Sequence, residues 1–130
     1  MRRLLVAAVA AALVPFHSAR AQQANATQMD TITEIFRCMA QGLPQDFESA
    51  HMIVELEHPG DSTGKVRYLF FRKDAADKPE LFTPCDTDGP PKALIALRDQ
   101  EPAARRGWTT ARLVLERDGS FRLNYDFPPK

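Results

Sequence analysis

The sequence predicts an α+β domain: a mostly antiparallel sheet of four to five strands with two helices, in the order α-β-β-(β)-α-β-β. Three observations carry this. Apolar residues recur at helical spacing between Met29 and Met39, alternating runs come in pairs in the middle and at the C-terminus, and a second helical run opens at Pro91.

The chain begins with a leader. Arg2 and Arg3 precede an apolar run from Leu4 to Val14, and Ala19-Arg20-Ala21 supplies the small residues read by a signal peptidase. Residues 1–21 are therefore expected to be a signal peptide cut before Gln22, leaving residues 22–130 as a single domain. A membrane anchor is the other reading of this run, but about a dozen apolar residues fall short of the roughly 20 that span a bilayer. Without a full twin-arginine pattern, the general secretory route to the periplasm is expected, with no stable membrane insertion after cleavage. The 17 basic residues balance 17 acidic ones, and without Arg2, Arg3 and Arg20 the count is 14 against 17. A nucleic-acid binder would carry the opposite surplus, so nucleic acid is not an expected partner.

Residues 22–26 read as a short disordered lead. Met29, Ile32, Ile35, Phe36 and Met39 then mark one helical stripe, started by Thr27 with Asp30 and stopped by Gly42. Pro44, Asp46 and Glu48 suit a short helical turn. Ala50 to His58 alternates as a strand, with Met52, Val54 and Leu56 on one face and His51, Ile53, Glu55 and Glu57 on the other. Val66 to Arg72 is apolar on both faces, as an interior strand is. Residues 73–79 read as a charged loop, and Glu80 to Thr83 as a short strand. Pro91 opens a helix through Leu94, Ile95, Leu97 and Arg98, and Pro102 ends or kinks it.

The closing hairpin can be registered from its pattern. A loop of Arg117, Asp118 and Gly119 sets Leu115 against Phe121, Leu113 against Leu123 and Ala111 against Tyr125. A two-residue loop would set apolar against polar side chains throughout, because a one-residue slip turns every side chain to the other face. The longer loop calls for a type I turn with Gly119 in the left-handed region. Arg112, Val114, Arg122 and Asn124 then share the opposite face, and the hairpin forms one edge of the sheet.

Two cysteines, Cys38 and Cys85, remain in a chain bound for an oxidising compartment, an even count that reads as one disulfide. Two buried free thiols are the alternative. No glycine-rich phosphate loop or nucleophile elbow is present, so no catalytic residue is assigned and an enzyme is not expected. Cys85 with His51 or His58 forms a nucleophilic pair only if the thiol stays reduced. No histidine and cysteine spacing matches a metal site, and Asp86 to Gly89 lacks the ligands of a calcium loop. No cofactor is expected.

Ile53, Leu69, Phe71 and Val114 share the face opposite the main apolar set, bordered by His51, Glu55, Arg67, Arg112, Arg122 and Asn124. If both helices pack on the first face, this second one is partly exposed and apolar at its centre, with a charged rim, as protein-binding surfaces are. Otherwise a helix or the N-terminal lead covers it.

Three separated blocks complete the reading. The stretch "LPQDFESAHMIVEL" is a proline-acidic-aromatic turn entering a strand. "ALIALRDQEPAARRGWTTARLVL" is a helix followed by a strand led by Trp108. "ERDGSFRLNYDF" is a hairpin marked by Asp118, Gly119, Phe121 and Tyr125, with Phe127 in the last aromatic place. In order and spacing they resemble the YezG-like immunity proteins, over about Thr27 to Phe127. The resemblance implies a non-enzymatic protein that binds and blocks a cognate secreted toxin, with Trp108, Asp118, Gly119, Phe121 and Tyr125 in structural roles. Such proteins are generally cytoplasmic and associated with nuclease toxins. The leader departs from that pattern and implies a toxin acting in the cell envelope. A carrier of a small periplasmic ligand is the alternative.

Overall fold

The computed structural model describes the backbone of residues 14–129 and the side chains of residues 27–129. Residues 1–13 of the expected leader lie outside the described residues. The chain runs through α1 (Val14–Ala40), β1 (Phe47–Glu55), β2 (Lys65–Arg72), β3 (Ala75–Leu81), α2 (Gly89–Arg98), β4 (Thr110–Glu116) and β5 (Phe121–Asp126). A single 3-10 turn, Ala103–Arg105, stands between α2 and β4. All strand pairs are antiparallel, in the spatial order β3-β2-β1-β4-β5. The fold is thus α+β, a five-stranded antiparallel sheet with two helices.

Both helices lie on one face of that sheet. Ile32, Ile35 and Met39 of α1 and Leu94, Ile95 and Leu97 of α2 join one core with Ala50, Met52, Val54 and Leu56 of β1 and its end, Tyr68 and Phe70 of β2, and Ala111, Leu113 and Leu115 of β4. The period of two along the strands and of three to four along the helices puts these residues on facing surfaces. Phe121, Leu123 and Tyr125 of β5 are half-buried against the same core. No helix among the described residues is long and apolar enough to cross a membrane.

The closing hairpin has the register its pattern predicts. Leu115 pairs with Phe121, Leu113 with Leu123 and Ala111 with Tyr125. Gly119 takes φ +93°, the left-handed value the three-residue loop requires. Asp118 accepts hydrogen bonds from the Ser120 backbone N–H at 2.9 Å and hydroxyl at 2.6 Å, which fixes the turn and holds the Asp118 carboxyl below its usual range. Trp108 is fully buried and stacks on Tyr125 with ring centres 5.3 Å apart. The buried Arg98 guanidinium lies 6.0 Å from the Trp108 ring centre and donates to the Asp61 carbonyl at 2.6 Å, so its charge is both stacked and hydrogen-bonded.

Four expectations are corrected. Residues 22–26 are helical rather than a disordered lead, since no glycine or proline interrupts the chain between Pro15 and Gly42 and alanine and glutamine favour the helix. Thr27 and Asp30 are accordingly interior to α1. β1 covers Phe47–Glu55 instead of Ala50 to His58, because the Arg117 backbone N–H donates to the Glu48 carbonyl and anchors the strand's first residues to the hairpin loop. The segment at Pro44 is a turn closed by the Phe47 N–H on the Pro44 carbonyl, not a short helix. Finally, Ala75–Leu81 is a strand where a charged loop with a short strand after it is expected. β3 is an edge strand, and an edge tolerates Pro79 and a run of charges that an interior strand would not. Arg72 helps hold it by bridging Glu80 at 2.7 Å and Asp46 at 2.6 Å.

Cys38 and Cys85 form a disulfide with Cα atoms 4.8 Å apart. It ties the last turn of α1 to the segment between β3 and α2, and the Cys85 N–H donates to the Cys38 carbonyl at 2.9 Å beside it. Nearby, Gly42 faces the Thr83 carbonyl so closely that no side chain fits between them. With both sulfurs consumed, Cys85 has no thiolate to serve as a nucleophile.

Candidate functional site

Because both helices pack on one side, the opposite side of the sheet is uncovered by any described helix. Its composition follows from the strand registers. One row across the sheet reads Leu81, Leu69, His51, Val114, Arg122. The next reads Arg67, Ile53, Arg112, Asn124, and on the other side Phe71, Ser49, Glu116 form a third. All nine residues expected to form a partner surface (Ile53, Glu55, Arg67, Leu69, Phe71, Arg112, Val114, Arg122 and Asn124) are therefore brought onto one face.

Their accessibility divides them. Leu69 and Phe71 are half-buried, and Glu55, Arg67, Arg112, Arg122 and Asn124 are exposed. Ile53 and Val114, expected among the partner-binding residues, are each only 3% exposed and so offer a partner almost no surface. Neither belongs to the core cluster under the helices. Arg67 and Arg112 flank Ile53 across the ladder, and His51 and Arg122 flank Val114. Long arginine stems shield such residues while keeping their charged heads in water. Leu81 is an addition: 79% exposed and paired with Leu69, it extends the apolar strip to the sheet edge. Its outward side cannot be read without the β2–β3 register, although the "ELF" run marks it as strand.

The face is electrostatically uneven. Arg67 pairs with Glu55 at 3.4 Å and Arg122 with Glu116 at 3.2 Å. Arg112 has no carboxylate partner among the described residues; its Nη1 lies 3.4 Å from His51 Nδ1. Burial, together with the charges of Arg112 and Arg122, holds the His51 imidazole below its ordinary pKa. The His51 ring also meets Phe71 edge-on, with centres 5.1 Å apart. The apolar strip therefore lies on the β2–β3 side, while the β4–β5 side carries Arg112 and Arg122 together with Glu116 and Asp126.

The residues carried by the family resemblance lie elsewhere. Trp108, Phe121 and Tyr125 contact or enter the helix-side core, while Asp118 and Gly119 build the hairpin loop. They are architectural. The protein is of the class of two-layer α+β domains with one helix-covered and one open sheet face. No protein-family model matches the chain, and no curated protein matches it either.

Proposed function

We propose that this chain is an exported immunity protein that binds and neutralises a cognate toxin acting in the cell envelope, using the open sheet face as its contact surface. The observation that carries this reading is that face: an apolar strip of Leu69, Phe71 and Leu81 beside exposed arginines on a rigid five-stranded support. Aromatic and arginine side chains, here Phe71 with Arg67, Arg112 and Arg122, are the types enriched at protein interfaces. The resemblance to YezG-like immunity proteins supplies the partner class. The leader and the Cys38–Cys85 bridge support work in an oxidising compartment, the periplasm. Neutralisation is steric, with the sheet covering the toxin's working surface and opposite charges speeding the encounter.

The test is co-expression with the product of the neighbouring open reading frame, directed to the periplasm. Growth should be rescued by the full chain and not by a form lacking residues 1–21. Equal rescue without the leader would refute the compartment, and absence of any physical complex would refute immunity.

A further inference from the structure

We propose that the free edge of β5 is a pairing surface for a second copy of this chain, the two β5 strands running antiparallel about a two-fold axis at Asn124. This goes beyond the functional reading above and does not depend on it. Backbone direction is the first argument. The Glu116 N–H donates to the Ser120 carbonyl and the Thr109 N–H to the Asp126 carbonyl, so the even-numbered residues of β5 turn their backbone groups toward β4. That direction alternates along an antiparallel strand, and Phe121, Leu123 and Tyr125 therefore turn their N–H and C=O groups away from the sheet. No hydrogen bond among the described residues reaches these outer groups. The other edge is guarded. β3 carries Asp77, Lys78 and Pro79, and its register with β2 shifts between Phe70 and Arg72, features that keep an edge from pairing. β5 has no proline, and its register with β4 runs unbroken from Asp126 to Phe121.

Side chains select the partner and the register. A two-fold contact uses the same patch on both copies, so each pair occurs twice. An axis at Asn124 sets Arg122 of one copy against Asp126 of the other, on the open face. The Asp126 carboxylate has no ion pair among the described residues, and the Arg122 side chain stays 66% exposed beside Glu116. On the helix side the axis sets Leu123 against Tyr125, and it brings Phe121 opposite Phe127, which is 47% exposed in the single chain. Opposite charges and aromatic side chains facing each other across a ladder stabilise the pairing. An axis at Arg122 would oppose two like charges, and one at Leu123 would face Asp126 with Ser120 and Phe127 with Gly119. A strand of another protein meets the backbone requirement alone; the second copy also meets the side-chain one. The paired copies form one continuous sheet with both open faces on the same side.

The test is sedimentation equilibrium of the mature chain, residues 22–130, from about 1 μM to about 1 mM, because so narrow an interface should dissociate on dilution. D126R opposes two cations at each contact and should weaken dimerisation about tenfold or more, and R122E/D126R, which exchanges the charges, should restore it. N124C places two thiols across the axis, at the Cα separation of about 4.5 Å of a facing pair without hydrogen bonds, within disulfide reach. It should cross-link under mild oxidation, whereas K78C on the β3 edge should not. Arg122, Asn124 and Asp126 are all exposed, and circular dichroism checks that each variant stays folded. A chain that remains monomeric at the highest concentration overturns the proposal and leaves the edge to a strand of another protein. A dimer that D126R does not weaken, that R122E/D126R does not restore or that N124C does not cross-link also overturns it, in favour of a different contact.

Discussion

Removing the Cys38–Cys85 bridge should destabilise the domain by about 4 kcal/mol. The two residues are 47 apart in sequence. Closing a loop of that length restricts the unfolded chain by roughly 4 kcal/mol at 25 °C in the chain-entropy account. Other contributions are small. Cys85 is exposed and Cys38 half-buried, so little apolar burial is lost in a C38A/C85A variant. The seam also keeps the Cys85 N–H on the Cys38 carbonyl and the Tyr68 hydroxyl on the Thr87 carbonyl at 2.8 Å, so the folded state should survive. For a domain of about this size each kcal/mol shifts Tm by roughly 4 °C, which gives a fall of about 15 °C. Urea denaturation and calorimetry of the oxidised chain, the reduced chain and C38A/C85A measure the effect. The reduced chain and the double variant should coincide. A Tm within about 3 °C of the oxidised protein would refute the argument, because the unfolded ensemble would already be restrained at that seam.

Four further outcomes follow from the geometry. Gly42→Ala should cost more than about 2 kcal/mol in urea denaturation, because its methyl group would meet the Thr83 backbone rather than a movable side chain. Gly119→Ala should cost only about 1 kcal/mol, since the position is open and only the left-handed φ of +93° penalises it. Leu113→Ala, fully buried between Met52 and Leu123 across the ladder, should cost about 2–5 kcal/mol by the same assay. His51, whose pKa is lowered on folding, makes stability fall with acidification: the unfolded chain takes up the proton first, below about pH 6.5, and the native state resists it until its own lower value. Comparing unfolding at about pH 5 and pH 7.5 in the unsubstituted chain and His51→Gln isolates this slope, which the variant should reduce.

What was legible in the chain was whatever local pattern alone decides. The closing hairpin could be registered because two alternating runs flank a glycine that tolerates positive φ, and a slip would invert every residue. β3 was not legible, because an edge strand that carries Asp77, Lys78 and Pro79 has the composition of a loop and becomes a strand only by pairing with β2. The helical character of residues 22–26 is not legible from a peptidase signal, which is a cleavage motif and not a helix breaker; the described helix runs through it and ends before Gly42. At the candidate site, the parity of β1, β2, β4 and β5 correctly grouped nine residues. Accessibility did not follow from parity. Ile53 and Val114 are buried although they share the face with exposed residues, and only the registers of β1 with β2 and β4 show which residues stand beside them.

That concealment bears on how the face would work. Arg112 stands opposite Ile53 across the ladder and near His51, with no carboxylate in ion-pair reach among the described residues. In the unbound protein the burial of Ile53 and Val114 keeps the exposed apolar area small, which limits non-specific association. The helix-covered face bears the stability, through Leu113 and its neighbours, and the open face can change its charges with little effect on folding. Substitutions that alter recognition and substitutions that alter stability should therefore fall on opposite sides of one sheet.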